Sequence, residues 1–354
     1  MANSNTYIND ALVRRQVYIE RLKASKRTAY SSVSDAAVKA LQELLAGLPV
    51  DRLNELTGKQ LETLLVKIDN RIQKEEEAYI AAMLVWIQSF SYDEAAYQTD
   101  LFNRTIDAKD EDYTRDSKVW NMVKNTYIAA LGLTVEQMLK DWSAAQRQTV
   151  IKEIRKNHAN GRTPKQTVRD IVGTKSRKFR DGLLERARRT MAAAVSTGVQ
   201  HASSLSRFAV IADKFIALGA GYEWVSVIDG KTSAQCRALD GRRFDYGKGP
   251  LPPIHPNCRS HTVPYFRNKT AFLRGILRKA GDGAIAAGET YYTWLRRQPK
   301  KFQTDVLGVA RAKAFRSGKI SAKEFARLQL DKNFRPITLE ELRTKKPELF
   351  DDED

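Results

Sequence analysis

Cysteine is scarce in this sequence. Only Cys236 and Cys258 occur among 354 residues, which is too few for the disulfide framework of a small secreted domain. Long apolar runs are also missing, since none approaches the roughly 18 residues needed to span a bilayer. The first residues, Met1 to Tyr7, are polar and lack the apolar segment of a secretory signal peptide. These absences predict a protein without a membrane span that is made and used in a cytoplasm.

Positive charge is abundant and unevenly distributed. The formal net charge is +18, yet residues 1–150 carry 19 basic and 21 acidic side chains. Residues 151–214 carry 15 basic and 5 acidic side chains, and residues 267–354 carry 20 and 12. Such blocks attract polyanions through counterion release, although a solvated helix face has the same composition. Non-specific nucleic-acid contact is predicted for one cluster in the first block: Lys175, Arg177, Lys178, Arg180, Arg186, Arg188 and Arg189.

Helical periodicity dominates most of the chain. Apolar residues recur on one face in 8–48 and again from Leu61 to Ile87, as expected for amphipathic helices packed on a core. Residues 182–212 form an alanine-rich pattern that predicts one long helix. Segments that begin with Ser or Thr and carry Gln or Glu three residues later predict helix starts. These starts are Thr134, Thr163, Ser321 and Thr338.

One segment departs from the helical pattern. Residues 222–228 alternate like a strand, 241–257 are rich in glycine and proline, and 261–266 predict a second short strand. We therefore expect a mainly α, elongated helical protein with a small α+β, loop-rich insert. The predicted regions are an N-terminal helical region (1–118), a basic helical region (119–218), the β and loop insert (219–267) and a C-terminal helical region with an acidic tail (268–354).

The insert contains both cysteines and two of the four histidines. Cys236, His255, Cys258 and His261 offer two thiolates and two imidazoles, a ligand set that suits tetrahedral Zn²⁺. A segment with so many glycines and prolines buries little, so a metal cross-link would help to order it. Two other interpretations remain open, namely buried residues without a ligand and a disulfide between the cysteines. The concentration of these residues favours structural zinc.

The same residues resemble a known family. The segments from Asp229 to Gly241 and from Pro252 to Ser260, followed by Val263 and Pro264, are similar to the phage Mu F-like minor head proteins of the phage head morphogenesis family. Upstream, Arg189-Thr190 and Tyr222-Glu-Trp224 resemble the approach to this motif, so the clear likeness covers roughly 150–270. At the position of His261 the family often has threonine, which makes His261 the weakest of the four predicted ligands.

The resemblance implies a minor structural protein of a tailed-phage virion. It implies a few copies at the portal vertex, a part in head morphogenesis or DNA delivery, and no established catalysis. Its partners would be the portal protein, other head or connector proteins and packaged double-stranded DNA, with the host cytoplasm as the place of assembly. One alternative is a zinc-supported nuclease-like enzyme, which lacks an obvious base beside the cluster. Another is a fused toxin, for which residues 267–354 contain no recognisable catalytic set.

Overall fold

The chain was examined as a computed structural model that describes residues 2–28, 30–106, 117–215, 220–266, 277–280, 283–286 and 289–350. The helices are α1 (Ala2–Thr28), α2 (Ser31–Ala46), α3 (Gly58–Ile106), α4 (Ser117–Asn125), α5 (Val135–Ala159), α6 (Pro164–Val172), α7 (Leu183–Phe215), α8 (Ala234–Leu239), α9 (Tyr291–Leu295), α10 (Lys300–Leu307), α11 (Val309–Arg316), α12 (Ala322–Leu328) and α13 (Leu339–Lys345). The strands are β1 (Ala220–Val225), β2 (Arg243–Asp245), β3 (His261–Phe266), β4 (Leu277–Ala280) and β5 (Gly283–Ala286). The predicted fold class, mainly α with a small loop-rich α+β insert, is confirmed.

Helices α1 to α7 pack around two long members. Helix α3 has 49 residues, which corresponds to about 74 Å, and it contacts α1, α2, α5 and α7. Helix α7 contributes Met191, Val195 and Val199, all completely buried, to the largest core cluster. The apolar stripe of Leu61 and its neighbours is likewise buried against α2 and α5. Within the described residues, no helix is both long and apolar enough to cross a membrane.

The predicted helix starts are confirmed by their side-chain hydrogen bonds. Thr134 and Thr163 each accept a hydrogen bond from the backbone N–H of the glutamine three residues later, and the side-chain oxygen of that glutamine accepts one from the threonine N–H. Ser321 and Thr338 accept corresponding bonds at the starts of α12 and α13. Each such cap stabilises a helix by about 1 kcal/mol, which explains why these four helices begin where the sequence indicates.

The insert forms a three-stranded antiparallel sheet in the order β2–β1–β3. Tyr222 of β1 pairs with Phe244 of β2 on one side and with Pro264 of β3 on the other. Both predicted strands are present, although β1 ends at Val225. The short helix α8 and strand β2 were not predicted, because six and three residues are too few for a periodic pattern.

The predicted C-terminal helical region (268–354) also contains two strands. Strands β4 and β5 pair as an antiparallel hairpin before α9 begins. Their sequences, Leu-Arg-Lys-Ala and Gly-Ala-Ile-Ala, contain one β-branched residue between them. Because strand prediction depends on β-branched and aromatic residues, this hairpin gave no signal.

The insert and the C-terminal helices share one hydrophobic core. Trp224, Cys236 and Cys258 belong to the same buried cluster as Tyr292 and Phe325. Residues on both sides of the predicted boundary at 267/268 therefore contribute to a common interior. The Gly/Pro-rich loop therefore packs against the C-terminal helices through Ile254 and Cys258, and Leu251 packs against the core of the helical body.

Candidate metal centre and basic loop

Two local turns position the cysteines and His255. Ser233 caps α8, and its Oγ accepts a hydrogen bond of 3.2 Å from the backbone N–H of Cys236. On the facing loop, the N–H of Cys258 donates to the carbonyl of His255 over 3.2 Å, which closes a tight turn. Asn257 within that turn has φ +58°, a left-handed conformation that asparagine tolerates better than most residues. The turn brings His255 and Cys258 to the same side, facing the start of α8.

Three potential ligand atoms converge at this point. Cys236 Sγ lies 3.7 Å from Cys258 Sγ and 3.0 Å from His255 Nε2, and the three ligand atoms are all within 4.8 Å of one another. Both cysteines are buried, and no disulfide joins them. This Cys-His-Cys group could hold a metal ion, and the disulfide interpretation has no support from the structure.

The distance between the two sulfurs is close to the distance expected at a tetrahedral metal ion. With metal–sulfur distances of about 2.3 Å, a tetrahedral site separates two sulfurs by about 3.8 Å, against the 3.7 Å between Cys236 and Cys258. The corresponding nitrogen–sulfur separation is about 3.6 Å, so His255 would shift outward by roughly half an ångström. The side chain of His255 is only partly buried, which leaves room for that shift.

The electrostatics of the two thiols and the imidazole favour a thiolate at Cys258. A hydrogen bond from Cys236, together with His255, lowers the pKa of Cys258 well below its ordinary value. The pKa of Cys236 is raised because it donates to Cys258 and is buried. Burial, the largest single influence, lowers the pKa of His255, but the hydrogen bond with Cys258, the charge of Cys258 and the hydrogen bond with the Pro256 carbonyl together raise it. A thiolate held by two donors is the species that a metal cation would bind.

His261, the fourth predicted ligand, lies outside this group. It begins strand β3 opposite Val225 and is buried. Two hydroxyls lie close to the group instead: the Oγ of Ser233, 2.8 Å from His255 Nε2, and the hydroxyl of Ser260, which forms a hydrogen bond with Cys236. Ser233 escaped prediction because its only sequence signal is that of a cap before a helix too short to recognise.

Helices α1 and α7 hold the Cys258 loop from the opposite side. The N–H of Asn257 donates to Thr197 Oγ1 over 3.1 Å, and the amide of Gln200 donates to the carbonyl of Ser260 over 3.0 Å. Lys23 of α1 reaches the carbonyl of Cys258 and, over 2.6 Å, the side chain of Gln200. Burial lowers the pKa of Lys23. The candidate metal centre therefore lies where the helical body meets the insert.

The predicted nucleic-acid residues divide into two groups. Lys175, Arg177, Lys178 and Arg180 lie in the exposed loop between α6 and α7, and Arg186 is exposed on α7. These five have no ion pair within the described part of the chain. The other two are engaged: Arg188 contacts Ser34 and Asp35, and Arg189 pairs with Glu185.

The loop of residues 174–181, hereafter the basic loop, has a fixed shape. The Asp181 carboxylate accepts hydrogen bonds of 2.8 Å from both the N–H and the hydroxyl of Thr174, and these bonds lower the pKa of Asp181. Lys178 and Phe179 both adopt positive φ, at 52° and 59°, a conformation that costs a residue other than glycine about 1–2 kcal/mol. Phe179 remains 44% exposed. The basic loop thus presents cations and an aromatic ring from a defined backbone.

Comparison of the chain with protein-family models, with curated proteins and with solved structures found no match.

Proposed function

We propose that this protein is a minor structural protein of a tailed-phage virion that acts at the portal vertex in head morphogenesis or DNA delivery. The observation that carries the proposal is the folding of the two motif segments onto each other. Arg259 of the second segment forms a bidentate ion pair with Asp229 of the first, at 2.7 and 2.8 Å. Cys258 likewise meets Cys236. The motif residues therefore hold a junction together, which is the role expected in a structural component.

The metal in this account is structural zinc held by Cys236, His255 and Cys258. Two thiolates and an imidazole are ligands that Zn²⁺ prefers, and buried cysteine-rich sites are typical of structural zinc. The Ser233 hydroxyl, next to His255, is available for a fourth position. Two motif carboxylates could serve a hydrolytic mechanism as a base, and both are engaged: Asp229 is bound to Arg259, and Asp240 accepts hydrogen bonds from the N–H groups of Ser226 and Tyr291. This engagement favours a structural role over the nuclease alternative.

The basic loop gives the protein a surface for packaged DNA. Its cations are exposed and form no ion pair with a carboxylate among the described residues, although Arg177 interacts electrostatically with Asp181. They can therefore contact phosphates without reading sequence. Phe179 adds a ring beside them. Contact with DNA near the portal and contact with the portal itself would then use different faces of the molecule.

Co-expression with the portal protein of the same phage tests the proposal. We expect a stable complex in size-exclusion chromatography, and no complex with the portal protein of an unrelated phage. The complex should survive replacement of the four basic-loop cations by glutamine, because these residues are assigned to DNA. Separate elution of the two proteins at micromolar concentration would contradict the proposal.

A further inference from the structure

An open cleft of about 1020 Å³ lies between the small sheet and the C-terminal helices, and its lining includes no residue of the Cys-His group or of the basic loop. Arg242, next to strand β2, lines one wall. Lys323 and Arg327 of α12, with Lys332 just beyond, line the other. Four acidic residues also border the cleft: Glu223, Asp240, Glu289 and Asp331. The balance of charge in the cleft depends on what these acids bind.

Two of the acids are neutralised by arginines. Glu223 pairs with Arg243 at 2.8 Å across strands β1 and β2. Glu289 accepts a hydrogen bond of 2.9 Å from Arg297. Each carboxylate therefore has its own counter-charge and offers little to the cations on the opposite wall.

The other two acids serve the backbone. Asp240 accepts hydrogen bonds from the N–H groups of Ser226 and Tyr291, at 2.8 and 2.7 Å, and is buried. Asp331 accepts a bond of 2.8 Å from the N–H of Asn333 in the turn after α12. These carboxylates maintain the shape of the cleft walls. With Arg243 counted, the lining carries five basic and four acidic residues, and the basic residues other than Arg243 form no ion pair with these acids.

The four cleft cations have few partners of their own. Lys323, Arg327 and Lys332 are exposed and have no hydrogen bond or ion pair to any residue that the structure describes. Arg242 makes one bond, from Nη2 to the carbonyl of Ala326 at 3.3 Å. Burial and the neighbouring Arg327 both lower the pKa of Arg242, although a guanidinium stays charged in proteins. Like charges facing each other without an anion between them are unfavourable.

We infer that this cleft is a binding site for a phosphate-bearing anion, with Arg242 and Arg327 as its central contacts and Lys323 and Lys332 at its rim. Two guanidinium groups suit phosphate because each can bind two of its oxygens at once, whereas an ammonium acts as a point charge. Four positively charged side chains suit a ligand with several negative charges better than a ligand with a single carboxylate. The phosphates belong either to a free polyphosphate or nucleotide, or to a nucleic-acid backbone.

Calorimetry with inorganic tripolyphosphate on the full-length protein tests the site. The double variant Lys323→Gln/Arg327→Gln removes two exposed cleft cations, and Lys300→Gln/Lys313→Gln removes two exposed cations from α10 and α11 as a control of equal charge. We expect the cleft variant to bind at least tenfold more weakly, as loss of charge-assisted contacts predicts. The control should stay within about twofold of the parent. Circular dichroism verifies that both variants fold.

The source of the phosphates is distinguished in a protein whose four basic-loop cations are replaced by glutamine. A 12-nucleotide single strand that displaces tripolyphosphate from this protein assigns the cleft to nucleic acid, and failure to displace it assigns the cleft to a free phosphate ligand. The inference is overturned if the parent binds neither probe. It is also overturned if both double variants lose affinity equally, or if a glutamate peptide of matched charge binds as tightly as tripolyphosphate.

Discussion

Cys236 and Cys258 show how the candidate metal centre arises at the scale of single residues. They are 22 positions apart, and each is placed by a short hydrogen-bonded turn. Sequence spacing was enough to identify these residues and His255 as a group. It could not exclude His261, because the direction of a side chain at the start of a strand depends on the register of β3 against β1.

The first prediction concerns metal content. Protein purified without chelator should contain about one zinc per chain by elemental analysis, and Cys258→Ser should contain almost none because one of three ligands is removed. His261→Thr is the matched control, since this residue lies outside the group and its replacement should leave the zinc in place. Full metal content in Cys258→Ser, or loss of zinc in His261→Thr alone, would show that the ligands have been misassigned.

A second prediction concerns His201, which is buried within α7. Burial lowers its pKa to about 4 from the ordinary 6.5. Between pH 6.5 and 4 the unfolded chain therefore binds a proton at His201 that the folded chain does not. The free energy of unfolding is consequently unaffected by this residue above pH 6.5 and decreases as the pH falls towards 4. At pH 5 this one residue should reduce the free energy of unfolding by about 2 kcal/mol relative to pH 7.

Urea denaturation at the two pH values measures this effect. In His201→Gln the difference between pH 7 and pH 5 should be smaller than in the parent by about 2 kcal/mol, whatever the variant loses in overall stability. An unchanged difference would mean that the folded protein accommodates the imidazolium.

At the scale of elements, the sequence predicted the helices and helix starts that depend on residues close together in the chain. The caps at Thr134 and Thr163 and the long helix α7 followed from residues adjacent in the chain. Helix α8 could not be predicted, because its stability comes from the core it shares with α9 and α12. The resemblance identified the motif residues but did not indicate that α9 and α12 pack against them. The structure of the insert therefore depends on tertiary packing that the sequence pattern does not show.

The basic loop gives a prediction at this scale. Arg177→Glu/Lys178→Glu/Arg180→Glu should weaken binding to double-stranded DNA and reduce the slope of log K against log salt by about two to three units, because each lost phosphate contact releases about one counterion fewer. The control is Lys300→Glu/Lys301→Glu/Lys313→Glu, which makes the same charge change on α10 and α11. Equal slopes in the two variants would mean that the basic loop is only a solvated surface.

The insert itself should depend on the Cys258 ligand. Its backbone is anchored by Thr197 and Gln200 on one side and by the shared core on the other, so Cys258→Ser should loosen it without unfolding α3 or α7. Hydrogen exchange should rise within 220–266 and stay unchanged in the two long helices. Uniform loss of protection across the chain would indicate that the centre is required for the whole fold.

At the scale of the whole molecule, the candidate metal centre joins regions that are far apart in sequence. Lys23 of α1 and Gln200 of α7 meet the Cys258 loop, and the same loop packs on the C-terminal helices. The buried pair of Arg207 and Glu94 connects α7 to α3 nearby, and Arg207 also binds the carbonyl of Thr262 in β3. A protein organised around one junction is suited to holding partners in a fixed relation, as proposed for the portal vertex.

Quantitative mass spectrometry of gradient-purified, salt-washed particles tests whether this protein is a component of the virion. We expect the protein to be retained at a small fraction of the copy number of the major capsid protein and in constant ratio to the portal protein. Its absence from washed particles that still contain the portal would show that it is not a structural component of the virion.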